Sequence, residues 1–384
     1  MLKKFIILNA TFSLFICLFF FNSMSTYALD VSAKSAILIE AKTGKVLFAK
    51  NEHAKMSMAS TTKIMTALLA LEYGDFNTEI IATKEMVTVE GTALGLRVGD
   101  KITLEGLVYG MMLSSGNDAA NAAALTVDET TEDFAKMMNK RARSIGAKET
   151  NFVTPSGLDA EQHYSTAYDM ALIAATAMEN PKFKEIASSK TAKIKFGNPP
   201  KDINISNHNR LLKEYNGCIG IKTGFTKKSG RCLVSAVERD GIRLIAVTLN
   251  APNDWNDHKS MFDYGFSLVQ NHRLYADLSI INIPVVGTEK TFLNVVCQDS
   301  FDVPLLKDQS SKVTTNIYID RFLYAPIKAG EPVGYIEYLL DGKVIEKTNI
   351  LAATTIETNF SQDEISDNIF TKIIDFFKRI FKSD

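Results

Sequence analysis

The stretch Met58-Ala59-Ser60-Thr61-Thr62-Lys63-Ile64-Met65-Thr66 decides how this chain is read, because a serine and a lysine stand at the head of an apolar run. Ile64, Met65, Ala67, Leu68, Leu69 and Leu71 continue it and predict a buried helix over about 60–73. Ser60 then opens the helix, and Lys63 lies one turn on along the same face. Ser-x-x-Lys occurs here only once, yet so short a pattern also arises by chance. Ser60 could simply cap the helix. A capping box, however, wants Glu or Gln three residues later, and a lysine in the first turn opposes the helix dipole by roughly 0.3–1 kcal/mol. The same field favours a neutral lysine, and a neutral amine beside a hydroxyl is a general base beside its nucleophile. At this point both readings stand.

Outward from that helix, Ser35–Ala41 and Lys45–Lys50 read as a hairpin joined by Lys42-Thr43-Gly44. Further helical patterns fall near 116–127, 132–145 and 166–178. Cys218–Gly224, Arg231–Arg239 and Ile242–Asn250 read as strands, the last two joined by Asp240-Gly241, a favoured two-residue turn. A hairpin, then helices, then a strand meander predicts an α/β (α+β) domain: an antiparallel sheet packed between helices, its first and last strands paired. From about 275 the segments turn strand-like, including Thr315–Ile319 and Val333–Leu339 with a turn at Asp341-Gly342, so a small all-β domain follows.

Two more tripeptides stand at element boundaries. Ser115-Gly116-Asn117 opens the alanine-rich stretch Ala119–Ala124, and Lys222-Thr223-Gly224 lies in an apolar strand before Phe225. Each has a bland reading, a helix cap and a strand end. Each also has a decoy: Lys42-Thr43-Gly44 precedes the serine, and Ser366-Asp367-Asn368 lies in the terminal segment. Order and setting must therefore decide.

With Ser60, Ser115-Gly116-Asn117 and Lys222-Thr223-Gly224 in that order, the chain resembles the penicillin-recognising serine enzymes, whose motifs are S-x-x-K, S-x-N and K-T-G. It is most similar to the low-molecular-mass penicillin-binding proteins that act as D-alanyl-D-alanine carboxypeptidases. Ser156-Gly157-Leu158-Asp159, His163-Tyr164-Ser165-Thr166-Ala167 and Gly220-Ile221-Lys222-Thr223-Gly224-Phe225-Thr226 extend the match, which runs from about Asp30 to the C-terminus. The resemblance implies a serine transpeptidase/β-lactamase-like fold. It further implies that Ser60 is the nucleophile, Lys63 its base and Ser115 a proton relay, with Asn117 positioning Lys63 and the substrate amide. Lys222 and Thr223 would hold the terminal carboxylate, beside Gly224, while the N–H groups of Ser60 and Phe225 form the oxyanion hole. The implied substrates are peptidoglycan stem peptides, with β-lactams as covalent inhibitors and no cofactor or metal. A class A β-lactamase would carry a Glu-x-x-x-Asn loop, for which 151–169 offers no counterpart, and no second domain.

The ends and the composition complete the expectation. Lys3 and Lys4, the apolar run Phe12–Phe21 and the small Ala28 read as a secretory signal over 1–28. The catalytic domain is then 29–274 and the β-rich domain 275–360. The net charge of −1 gives no reason to expect nucleic acid. Of the four cysteines Cys17 would leave with the signal, and the remaining Cys218, Cys232 and Cys297 are odd in number and widely spaced, which reads as buried free thiols rather than a disulfide framework. The five histidines show no metal-ligand spacing. In 361–384, Ile365, Ile369, Phe370, Ile373, Ile374, Phe376, Phe377, Ile380 and Phe381 fall in one helical arc, opposite a polar arc with Lys378, Arg379 and Lys382. That division predicts an amphipathic helix lying on the outer face of the cytoplasmic membrane.

Overall fold

The computed structural model describes residues 29–358 and 371–374. The hairpin consists of β1 (Ser35–Glu40) and β2 (Val46–Lys50). Short strands β3 (Glu79–Ile81) and β4 (Lys101–Thr103) and the longer β5 (Thr191–Gly197) and β6 (Pro200–Ser206) come next. The meander β7 (Cys218–Thr226), β8 (Gly230–Arg239) and β9 (Ile242–Leu249) follows. The main sheet has the order β2-β1-β9-β8-β7, so the first and last of these strands pair antiparallel, Ser35 opposite Leu249. Both residues of the β8–β9 turn are left-handed, Asp240 at φ 51° and Gly241 at φ 78°, which matches the twist of the strands they join.

Among the described residues, the helices of ten residues or more are α1 (Lys63–Tyr73), α2 (Leu104–Leu113), α3 (Asn117–Val127), α4 (Thr131–Ile145), α5 (Ala167–Glu179) and α6 (Asp254–Leu268). Every residue of α1 from Lys63 to Ala70 is buried, as an all-round apolar helix requires. The alanines of α3 let it lie close against α1 and α2, and α5 and α6 pack on β1 and β9. By contrast α4 buries only Phe134, Ala135, Met138 and Ala142; Thr130 caps its start, and Gly146, at φ 96°, ends it.

The sequence reading did not foresee the second sheet, β3-β4-β5-β6. Two of its strands have only three residues, and β6 is mostly exposed, so neither presents a strong alternation.

Beyond α6, β10 (Val269–Leu274) pairs with β13 (Phe301–Leu306). A six-stranded sheet, order β14-β16-β17-β12-β11-β15, is built from β11 (Asn282–Val286), β12 (Phe292–Cys297), β14 (Thr314–Ile319), β15 (Leu323–Tyr324), β16 (Pro332–Leu340) and β17 (Lys343–Ala352). It encloses its own core, including Ile283, Val285, Leu293, Ile336, Tyr338 and Ile350.

The three cysteines are free, but only Cys232 is buried; Cys218 and Cys297 are half-buried. They lie on strands with one partly open face, which widely spaced cysteines alone do not disclose. The expected signal 1–28 and the Ser366-Asp367-Asn368 decoy lie outside the described residues. Of the expected terminal helix only Thr371–Ile374 are described; they are helical and exposed.

Candidate active site

Ser60 lies not in α1 itself but in the 3-10 turn Ala59–Thr62 that leads into it. Ala59 takes a left-handed φ of 48°, and Thr61 Oγ1 donates to Met58 O at 2.7 Å, locking the turn. Gly157, at φ 83°, packs against its outside: a Cβ there would lie 2.0 Å from Ala59 O. Thr66 Oγ1 donates to Pro155 O at 2.6 Å, tying the 155–157 segment to α1. His163 belongs to the same clamp. Its Nδ1 accepts from Val153 N at 2.9 Å, so the other ring nitrogen carries the proton and donates to Thr62 Oγ1 at 2.9 Å. Burial holds its pKa down to about 4, so this histidine stays neutral and braces the turn.

Lys63 starts α1 with none of its surface exposed. Its Nζ lies 3.1 Å from Ser60 Oγ, 2.7 Å from Asn117 Oδ1 and 2.6 Å from Ser156 O. Asn117 Nδ2 donates to Glu90 O at 2.6 Å, which fixes Oδ1 toward the lysine. Burial, and then the charge of Lys222, push the Lys63 pKa well below its ordinary value, against a smaller opposing pull from Asp118. The Asp118 carboxylate accepts from the N–H groups of Leu94, Gly95 and Leu96 and so binds that loop to the start of α3.

Ser115 precedes α3 with a left-handed φ of 61°, a strained conformation for a serine, and Gly116 takes the cap position. The turn aims Ser115 Oγ at Lys222, whose Nζ lies 3.1 Å away and also donates to Thr223 O at 2.9 Å. Lys222 is only 1% exposed, and burial holds its pKa down to about 7. Strand β7 brings Gly224 against the Ser60 backbone: a Cβ on Gly224 would sit 3.1 Å from both Ser60 N and Met58 O. Phe225 follows, its side chain exposed.

All eight residues singled out from sequence, Ser60, Lys63, Ser115, Asn117, Lys222, Thr223, Gly224 and Phe225, therefore cluster where α1, α3 and β7 meet. Five of them border a cleft of about 440 Å³. Its far wall holds residues the sequence reading did not name: Thr92, His208, Arg210, Arg231, Asp254 and Trp255. Arg231 pairs with the buried Asp254 at 3.0 Å, and the guanidiniums of Arg231 and Arg210 lie over the Trp255 ring, 5.7 and 5.8 Å from its centre. As the only tryptophan in the chain, Trp255 was the one available signal. The decoy Lys42-Thr43-Gly44 lies in the β1–β2 turn, where Glu40 accepts from the N–H groups of Lys42 and Thr43.

A family model described as D-alanyl-D-alanine carboxypeptidase matches residues 22–253, and one described as Penicillin-binding protein 5, C-terminal domain, matches 270–358. The chain is 32% identical to D-alanyl-D-alanine carboxypeptidase DacF of Bacillus subtilis over 85% of its own length and 86% of that protein's. It is 30% identical to DacC of Escherichia coli, covering 91% and 90% of the two chains. Among solved structures, penicillin binding protein 5 from Haemophilus influenzae superposes with a TM-score of 0.64 at 27% identity, over 85% of this chain and 98% of that one.

Proposed function

The chain belongs to the D-alanyl-D-alanine carboxypeptidase family and is a serine peptidase of the cell wall, and from that premise we propose how its residues divide the work. Ser60 Oγ attacks the carbonyl of the penultimate D-Ala of a peptidoglycan stem, expels the terminal D-Ala and becomes acylated. One observation carries this reading. Asn117 Oδ1 and Ser156 O can only accept, so together they occupy both N–H groups of a neutral Lys63. The lone pair is left for the third neighbour, the Ser60 hydroxyl, 3.1 Å away. Burial and the charge of Lys222 favour the neutral amine, which then serves as general base.

The oxyanion then takes hydrogen bonds from the N–H groups of Ser60 and Phe225, which the close approach of Gly224 to Ser60 N favours. Lys222 and Thr223 hold the terminal carboxylate, and Ser115, bonded to Lys222, relays to the departing amine the proton that Lys63 took from Ser60. Water releases the acyl group and restores Ser60. A β-lactam presents a similarly placed carboxylate beside a strained amide and acylates the same oxygen.

Residues 1–28 are taken as the segment that exports this chain. The catalytic part is taken as 29–274 and the β-rich part as 275–360. Residues 361–384 are taken to hold the enzyme on the membrane surface through their apolar arc. D-Ala release from a defined stem pentapeptide tests the reading: the mature protein should release it and Ser60→Ala should not. Release by the alanine variant would remove Ser60 from the mechanism.

A further inference from the structure

The β-rich domain carries an apolar surface that the catalytic reading leaves unused. Along β11, Ile283 and Val285 point into the core while Pro284 and Val286 point outward. Phe292 of β12 lies opposite Pro284, and Tyr324 of β15 lies beside Val286. The Phe322 ring meets that of Tyr324 edge to face at 5.5 Å. These five residues make one outward face, with Val286, Phe292, Phe322 and Tyr324 between 48% and 69% exposed. Phe and Tyr exposed together are costly in water and suit the boundary between lipid and water.

Where the chain leaves this domain identifies the occupant. Thr358 Oγ1 donates to Gly287 O at 3.3 Å, so the exit lies directly after Val286. Six residues, 359–364, separate Thr358 from Ile365, the first residue of the apolar arc. Fully extended, that link reaches at most about 25 Å. Apart from Phe360 it is polar, Asn359, Ser361, Gln362, Asp363 and Glu364, and offers no stripe to cover the patch. A surface that takes the apolar arc of 365–384 must therefore lie within reach of the patch.

We propose that the outer face of β12-β11-β15, centred on Val286, Phe322 and Tyr324, rests on the lipid surface as a second contact beside the C-terminal segment. This inference rests on the membrane role proposed for that segment. The charged residues that flank these positions along the chain balance, Lys290, Arg321 and Lys328 against Glu289, Asp320 and Glu357. Insertion here is thus driven by apolar burial, and it persists in salt that screens Lys378, Arg379 and Lys382.

The test uses the full mature chain carrying Phe322→Trp, with Val344→Trp as the comparison and the Trp255 signal of the parent subtracted. Val344 is equally exposed but lies at the start of β17, the end where Glu346 pairs with Lys42 of the catalytic domain. The vesicles are phosphatidylcholine–phosphatidylglycerol with brominated acyl chains. On them the indole of the Phe322→Trp variant should lose emission and become shielded from aqueous iodide. The indole of Val344→Trp should change in neither respect. A Phe322→Trp chain that floats with the vesicles while its introduced indole keeps both emission and iodide access overturns the second contact and leaves the anchor intact. Iodide shielding of that indole before any vesicle is added would show the patch already covered by the tail or a second copy, and also overturns it. A chain that does not float at all removes the anchor and this inference with it.

Discussion

The chain contains the tripeptide Lys-Thr-Gly twice, and the two copies do different things because of what surrounds them. At 42–44 it forms a hairpin turn: the lysine side chain is 42% exposed, its partner is Glu346, and Gly44 has open space around it at φ 68°. At 222–224 it is a strand: the lysine is buried against Ser115, and the glycine is pressed against the backbone of Ser60. The first copy shapes a loop, and the second builds a site. Identical residues acquire chemistry only when burial changes the lysine's charge state and packing fixes its partner.

The sharpest way to break that contrast is to remove each lysine. Lys222→Ala should cut kcat/KM on a free-acid stem roughly 30- to 1,000-fold, equivalent to about 2–4 kcal/mol of transition-state binding. A stem with an amidated terminus should lose far less, and equal losses would disprove the carboxylate clamp. Lys42→Ala should leave kinetics unchanged and cost at most ~1 kcal/mol in denaturant unfolding, as exposed pairs do.

The glycines come next. Gly224→Ala must push the Ser60 turn by a few tenths of an ångström, so acylation should slow roughly tenfold or more while the protein remains folded. Gly44→Ala meets no neighbour and should cost only about 1 kcal/mol of stability, from its left-handed backbone, with activity intact.

A smaller effect concerns pH. Lys222 ionises at about 7 in the folded protein, far below an ordinary lysine, so the free enzyme loses that charge as pH rises through 7. KM for the free-acid stem should climb above pH 7, and KM for the amidated stem should not. The same depression means that the unfolded chain binds the extra proton between about pH 7 and 10.4, so this group makes folding more favourable as pH rises through that window. A flat KM profile for the free acid would place the carboxylate elsewhere.

Much of this was legible in the sequence, for identifiable reasons. The β8–β9 and β16–β17 connections carried turn residues with fixed backbone demands, Asp240-Gly241 and Asp341-Gly342, and α1 and α3 had unmistakable apolar or alanine runs. The eight candidate residues, which the fold brings together, were legible because three spaced motifs stand in order. The second sheet escaped because its short or exposed strands leave no period to read. The far wall of the cleft escaped because Arg210 precedes a short helical turn, Arg231 lies near the start of β8 and Trp255 near the start of α6, three places joined only by folding. The roles of Ser156 and His163 were also invisible, since one acts through a backbone carbonyl and the other through a tautomer set by Val153 N.

The central claim is that Ser60 is the nucleophile and a neutral Lys63 its base. Intact-mass measurement after exposure to benzylpenicillin, with peptide mapping of the adduct, tests it most directly. One penicilloyl group should appear on the peptide containing Ser60, should be absent in Ser60→Ala, and should form far more slowly in Lys63→Ala although that variant keeps the serine. An adduct that persists in Ser60→Ala, or that forms at the parent rate in Lys63→Ala, would contradict the account.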